Sequence, residues 1–410
     1  HEDALRAVAM YENNLVVQLE QKDQAATANS YWSLGCAYAS IDQLQSAAEN
    51  FTKCHNLRLL SGGREGLAVA LLRKGCANLA CGDTRAAAED LDTYLSMVQE
   101  VTERNQGERP AEFPIEDECD AAIALGQAYA RLGDIAQAAD VLKRGMSAAV
   151  NSDRPTCEGR IVVAFGEIYA GLWITKRALD HYERALNIFV DVGDRDSEAQ
   201  SILQLGRLNF YRGDTVTAIK CLEESLALAK KAGSGTTVAQ CLINIADIHF
   251  VQDSYEQAKA HLEEACKKCR EQLDPMGEAR GLCGLSRVNL VLGDTKLALE
   301  QVEEGLKIRQ SLGDRKTTAD CLCLLGQVYI KMGSLGQAQH VCQQARQLSA
   351  ENSETLDNAR AELLLARIMA LSGDLNGALE QMQKARDVFA ETTLLAGTKI
   401  FLDPHALGEA

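Results

Sequence analysis

The sequence predicts an all-α chain built as a solenoid of paired helices. Three observations predict it. Seven alanines, Ala138, Ala178, Ala218, Ala258, Ala298, Ala338 and Ala378, follow one another at a step of 40 residues. Glycine-led turns keep the same beat at Gly133, Gly213, Gly293, Gly333 and Gly373, with a second set at Gly193, Gly233 and Gly313 about halfway between. Strand signals are scarce: aromatic residues make up 5% of the chain and there are 5 prolines. A fixed period in this range means stacked units that bury apolar surface only against their neighbours.

Each period holds two helices of similar length, because two turns fall within it. Most helices are expected to start at an Asp, Ser or Thr able to accept from the first-turn amides and to stop near a glycine. Residues 2–21 read as a lone helix placed before the first pair. The beat breaks once. Gly75 and Gly126 occupy equivalent positions but lie 51 residues apart. The excess falls around 102–117, TERNQGERPAEFPIED, and is expected to form an extended loop. The predicted array spans 1–391 as a single domain, and 392–410 lose the helical period and read as an irregular tail.

Composition narrows the function. With 46% hydrophobic residues the chain can pack a core. Its formal net charge of −16 disfavours nucleic-acid phosphates and anionic lipid as partners. No apolar run approaches the roughly 18–20 residues of a membrane span, so no membrane insertion is expected. The opening HEDALRAVAMYENN does not read as a secretory leader. Of the 14 cysteines, Cys36, Cys76, Cys221, Cys241, Cys283, Cys321, Cys323 and Cys342 lie in apolar-periodic stretches. They are expected to be reduced core residues in a cytoplasmic protein.

Within Ser30–Cys54, the residues Leu34, Gly35, Tyr38, Ala47 and Phe51 have the spacing Leu-Gly-x-x-Tyr followed by Ala-x-x-x-Phe. Further copies start at Leu125-Gly126, Phe165-Gly166 and Leu325-Gly326. On these residues the chain resembles the tetratricopeptide-repeat family. The resemblance covers nearly the whole chain and implies a right-handed α-solenoid of about nine helix-turn-helix units with an extra N-terminal helix. Some copies depart from the pattern: Lys74 and Asn78 replace Leu and Tyr, Ser286 replaces Gly, and Met369 replaces Tyr. The 40-residue period exceeds the family's common 34. In that length, and in Leu312–Arg315, the chain is similar to Pins-type adaptors, rapsyn-like scaffolds and kinesin light chain. That similarity implies a cytoplasmic scaffold, with a cytoskeletal or ciliary setting.

No catalytic or metal constellation is read, and no cofactor is expected. Cys266 and Cys269 form a CxxC inside a helical stretch without a second ligand pair. His340 and Cys342 point to different helix faces. His249 stands at the repeat's Tyr position, where packing is expected. The chain is therefore not expected to be an enzyme.

In the family the first helices line the inner, concave face. With the Leu-Gly glycine counted as position eight, position two reads Arg160, Gln200, Gln240, Arg280, Asp320 and Arg360. Position nine, two turns on along the same face, reads Glu167, Arg207, Asp247, Arg287, Gln327 and Arg367. Between them position five is apolar, with Leu203, Ile243, Cys283 and Leu363 among its residues. Phe210 and Phe250 follow at position twelve. Asn244 falls at the site where chaperone-tail receptors carry an Asn, but the Lys residues of that clamp are missing. The expected groove has Arg160, Gln200, Arg207, Gln240, Asn244, Arg280, Arg287, Arg360 and Arg367 over a floor that includes Leu203, Phe210 and Phe250. Arg presents forked donors to carboxylates and main-chain carbonyls. The expected partner is an extended or helical protein segment carrying acidic residues. Two alternatives stand beside it. Glu167, Asp247 and Asp320 could neutralise the arginines, or the chain could be a structural subunit held through its outer faces, insert and ends.

Overall fold

In the computed structural model, residues 2–41, 43–61, 66–105, 113–351 and 355–387 are described. Among them there are helices and no strands. Helix α1 (Glu2–Gln21) precedes the first pair. The pairs are α2 (Gln24–Ser40) with α3 (Leu44–Ser61), α4 (Leu67–Cys81) with α5 (Thr84–Arg104), α6 (Ile115–Leu132) with α7 (Ile135–Asn151), and α8 (Pro155–Gly171) with α9 (Thr175–Val192). Then come α10 (Arg195–Tyr211) with α11 (Thr215–Ala232), α12 (Gly235–Val251) with α13 (Tyr255–Gln272), α14 (Pro275–Leu292) with α15 (Thr295–Leu312), and α16 (Arg315–Lys331) with α17 (Leu335–Glu351). Last is α18 (Thr355–Leu371), followed by helical residues 375–387. The all-α solenoid of about nine pairs plus one leading helix is thus the observed architecture. Two compact units divide it, one up to Val192 and one from Gly193.

Within each unit the two helices of a pair pack together, and each second helix also packs on the next first helix. Small residues set this approach. The recurring alanine of the second helix is 0% exposed from Ala138 to Ala338 and 5% exposed at Ala378. Opposite it, the glycine of the first helix meets a large side chain of its partner helix. A Cβ on Gly166 would lie 2.6 Å from the Tyr182 ring, and one on Gly206 would lie 2.8 Å from Leu222. Neither leaves room for a side chain, so the motif glycine is a steric requirement of the pair. Gly166→Val is expected to destabilise the first unit by about 2 kcal/mol through overpacking, read by denaturant unfolding; unchanged stability would refute the steric argument.

The turns explain the helix boundaries. Asp134, Asp194, Asp214, Asp294 and Asp314 each accept from a backbone amide three residues on, closing the first turn of the next helix. The helix before Asp134 stops at Gly133, φ 86°, a left-handed backbone that costs glycine little. Trp173 and Leu273 take the same backbone at φ 60° and 56° without being glycine.

Two departures from the repeat pattern find their explanation in the first unit. Lys74 and Asn78, in place of apolar residues, both reach Asp90 on α5: Lys74 Nζ at 2.8 Å and Asn78 Nδ2 at 2.9 Å. An ionic contact replaces the usual apolar one. The extended loop expected over 102–117 is shorter than predicted. Helix α5 is 21 residues long and runs through Arg104, and α6 starts at Ile115. The amphipathic pattern simply continues through Val98, Val101 and Thr102. Only 105–114 remain to connect the helices, and 106–112 lie outside the described residues. Phe113 anchors the end of this connection; it is buried and its ring centroid lies 6.3 Å from that of Tyr94. In the seventh pair, Ser286 stands at the glycine position fully buried, and its hydroxyl donates to the Ala298 carbonyl at 2.8 Å. The tail 392–410 lies outside the described residues.

Candidate functional site

The first helices within a unit lie next to one another. In the first unit α6 neighbours α4 and α8; in the second, α10, α12, α14, α16 and α18 form a continuous series. Positions two and nine project from one face of these helices. The side chains read as a site therefore fall into two sets: Arg160 belongs to the first unit, and the rest belong to the second.

The arginines of this face divide by partner. Arg160 reaches Asp120 at 2.5 Å, Arg287 reaches Asp247 at 2.5 Å, and Arg360 reaches Asp320 at 2.8 Å. Each acid lies 40 residues before its arginine, on the preceding first helix. At the same offset the Gln127 amide donates to the Glu167 carboxylate at 3.1 Å. Neutralisation, one of the readings open from the sequence, therefore holds for three arginines. All three pairs are substantially exposed and contribute little stability. Arg287 also lies over the Phe250 ring, 5.5 Å from its centroid.

Arg207 and Arg280 differ. Among the described residues neither has an ion pair, and neither does Arg367 on α18. Arg207, on α10, donates to the Gln204 side chain at 3.1 Å. Arg280, at the start of α14, is half-buried, and no carboxylate meets it. Burial lowers its pKa first and the nearby charge of Arg207 lowers it further, while Asp247 acts in the opposite direction. The charge of Arg207, from another repeat, thus bears on Arg280, and the acid that acts against it, Asp247, is bound to Arg287.

The remaining expected residues have the following places. Gln200 is exposed and donates to Asp196 at 3.2 Å. Asn244 donates to the Gln240 carbonyl at 2.7 Å, one turn back on its own helix. Gln240 is half-buried on α12, and Arg367 is exposed on α18. Phe210 and Phe250 are half-buried against the core, so each presents part of a ring. Leu203 is 2% exposed and packs with Leu222 and Ile245 inside the unit. It underlies the face rather than lining it, as do Ile243 and Cys283.

Three residues that the sequence did not bring forward belong to this description. Asp120 is the partner of Arg160; its signal was its 40-residue offset from that arginine. Tyr211 stands exposed beside Phe210, with ring centroids 6.0 Å apart. Arg309, buried on α15, donates to the Thr317 carbonyl at 2.5 Å, and its charge acts on Arg280 from below. Nothing in a single repeat marks Arg309 out.

The CxxC cysteines are core residues. Cys266 and Cys269 are buried against Gly281 and Gly277 of α14, and burial pushes their pKa values up to about 11 and about 12. His249 stacks on His261 with centroids 5.4 Å apart, a packing contact at the repeat's Tyr position. Among the described residues no group of three or more His, Cys, Asp or Glu side chains could hold a metal. None of their helices is long and apolar enough to cross a membrane.

Three family profiles, each described as tetratricopeptide repeat, match residues 175–231, 238–274 and 319–352. They fall on the helix pairs and on the 40-residue beat described above. The chain carries tetratricopeptide repeats. Solved repeat proteins share the fold. Aspartyl phosphate phosphatase F from Bacillus subtilis aligns with a TM-score of 0.56 at 13% identity, over 88% of this chain and 94% of that one. The apo form of RapI aligns at 0.54 and 15%, over 89% and 98%. A Rap protein complexed with competence and sporulation factor aligns at 0.54 and 16%, over 83% and 93%. At these identities the likeness concerns the fold. A search of curated proteins found no significant match in sequence. Arrays of tetratricopeptide repeats are protein–protein interaction scaffolds that bind through their extended surfaces.

Proposed function

We propose that this tetratricopeptide array is a scaffold that holds a segment of a partner protein on the first-helix face of its second unit. Acidic residues of that segment meet Arg207 and Arg280. The observation that carries this reading is the division of the arginines. Three are neutralised by an acid 40 residues earlier, whereas Arg207 on α10 and Arg280 on α14 have no ion pair among the described residues. In a chain of net charge −16, a local excess of positive charge selects strongly for acidic groups. Around it, the exposed parts of Phe210, Phe250 and Tyr211 supply apolar surface, and Gln240 supplies a neutral donor and acceptor for main chain. A half-buried guanidinium gains more from a carboxylate than an exposed one does, because less water competes. The role is binding rather than catalysis.

The test uses the whole chain and fluorescent peptides that alternate leucine with glutamate, or leucine with lysine in the control. The glutamate peptide is expected to bind, more weakly as salt rises. Arg207→Gln with Arg280→Gln is expected to weaken it by at least about 100-fold, since each charge-assisted contact is worth roughly 1.5–3 kcal/mol, with little change in melting temperature. Undiminished binding by the double variant would reject this site and move recognition to the outer faces, the insert or the ends.

A further inference from the structure

Beneath this face, between α14 and α16, lies a pair of thiols that the binding role does not use. Cys283 and Cys321 are 8% and 1% exposed. Their Sγ atoms stand 2.8 Å apart, from helices in successive repeats. The separation falls between the roughly 2.05 Å of a disulfide and ordinary sulfur contact. Gly305 of α15 leaves the space they occupy: a Cβ there would lie 3.3 Å from Cys283 Sγ.

The surroundings favour reaction at one of the two. The buried Arg309 guanidinium bears on both sulfurs, Arg287 adds positive charge at Cys283, and Asp320 opposes them. The shared S–H···S bond eases proton loss from Cys283, against the effect of burial, and makes Cys321 hold its proton more tightly. Cys283 is also the less buried of the two, so an oxidant arriving from the first-helix face meets it first. Three other buried thiols have different surroundings. Cys266 and Cys269 sit in separate glycine notches, and Cys241 donates to the Ser225 hydroxyl.

The geometry points to Cys283 and Cys321 as a site of oxidative modification, forming an intramolecular disulfide when a hydroperoxide reaches Cys283. The Cys283 thiolate attacks the distal peroxide oxygen. The O–O bond breaks, the alcohol (water, for hydrogen peroxide) leaves, and Cys283 becomes a sulfenic acid. Cys321 then attacks that sulfur, and water leaves with the thiol proton. Two thiols and one hydroperoxide give one disulfide, one alcohol and one water; the sulfurs are oxidised and the peroxide is reduced. The cross-link ties α14, which carries Arg280 and Arg287, to α16, and encloses all of α15. This inference goes beyond the binding role and does not depend on it.

The experiment treats the reduced whole chain with stoichiometric hydrogen peroxide, alkylates free thiols under denaturing conditions and maps the peptides without reduction. A Cys283–Cys321 linked peptide is expected as the main product, ahead of any oxidation at the exposed Cys36. The oxidised chain is expected to unfold at higher denaturant than the reduced one. Cys321→Ser is expected to abolish both effects and to leave Cys283 as a sulfenic acid that a dimedone probe traps. If serine at that buried position prevents folding, Cys321→Ala replaces it. Recovery of both cysteines as alkylated thiols after Cys36 has oxidised would overturn the proposal, as would a linked peptide that pairs either cysteine elsewhere.

Discussion

Asp90→Ala is expected to destabilise the first unit by about 3 kcal/mol. The Asp90 carboxylate accepts from Lys74 and Asn78, and the Lys74 and Asp90 side chains are 19% and 11% exposed. Removing it strands an ammonium and an amide where water reaches them poorly, which costs more than the pair itself contributes. The triple variant Lys74→Leu, Asn78→Tyr, Asp90→Leu removes both charges and the amide together and supplies apolar side chains in their place. It is expected to return stability to within about 1 kcal/mol of the parent, or to exceed it. Guanidinium unfolding of the three proteins reads the difference. A single variant as stable as the parent would show that the trio carries no net energy.

Phe189→Ala is expected to cost about 4 kcal/mol, in the range for deleting a buried aromatic. Phe189 is 1% exposed on α9 and packs with Val162 and Ala185. Its ring fills the place of a side chain on Gly159, where a Cβ would lie 2.6 Å away. The same contact predicts the reverse experiment. Gly159→Ala alone is expected to destabilise, and Gly159→Ala combined with Phe189→Leu to recover part of the loss, because the smaller side chain vacates the ring's volume. Purely additive effects of the two substitutions would show that the residues are not coupled.

The fold was legible because its determinants are local and repeated. Ala218 and Gly206 each recur in equivalent places in most repeats, where small residues meet the same steric condition. The insert is shorter than the repeat spacing predicts because helix propensity continues past the point where the repeat should end, and α5 follows propensity. The site was legible only as a set of positions. Sequence placed Arg207, Arg280 and Arg287 on one face but gave no means to rank them. Their difference arises from contacts between repeats: Asp247 reaches Arg287, and nothing equivalent reaches Arg280. Position five is central on the helix face, which predicts a lining role for Leu203. Packing with Leu222 draws it inward. The thiol pair was invisible for the same reason, since Cys283 and Cys321 occupy different positions in their repeats and meet only across a helix.

The acid–arginine links at 40-residue offsets have a consequence for how such a chain lengthens. Each link joins a residue to the equivalent or near-equivalent place in the next repeat, so its reach equals one module. A duplication that copies a whole module keeps an acid 40 residues from its arginine at the junction, although copying both halves of a link takes two modules. A duplication of any other length shifts the acid away from its arginine at the new junction. The Asp90 trio obeys a different rule, because its offsets of 16 and 12 residues stay inside one module and travel intact with it. The register of these links is thus kept when a complete module is added and lost when a fraction of one is.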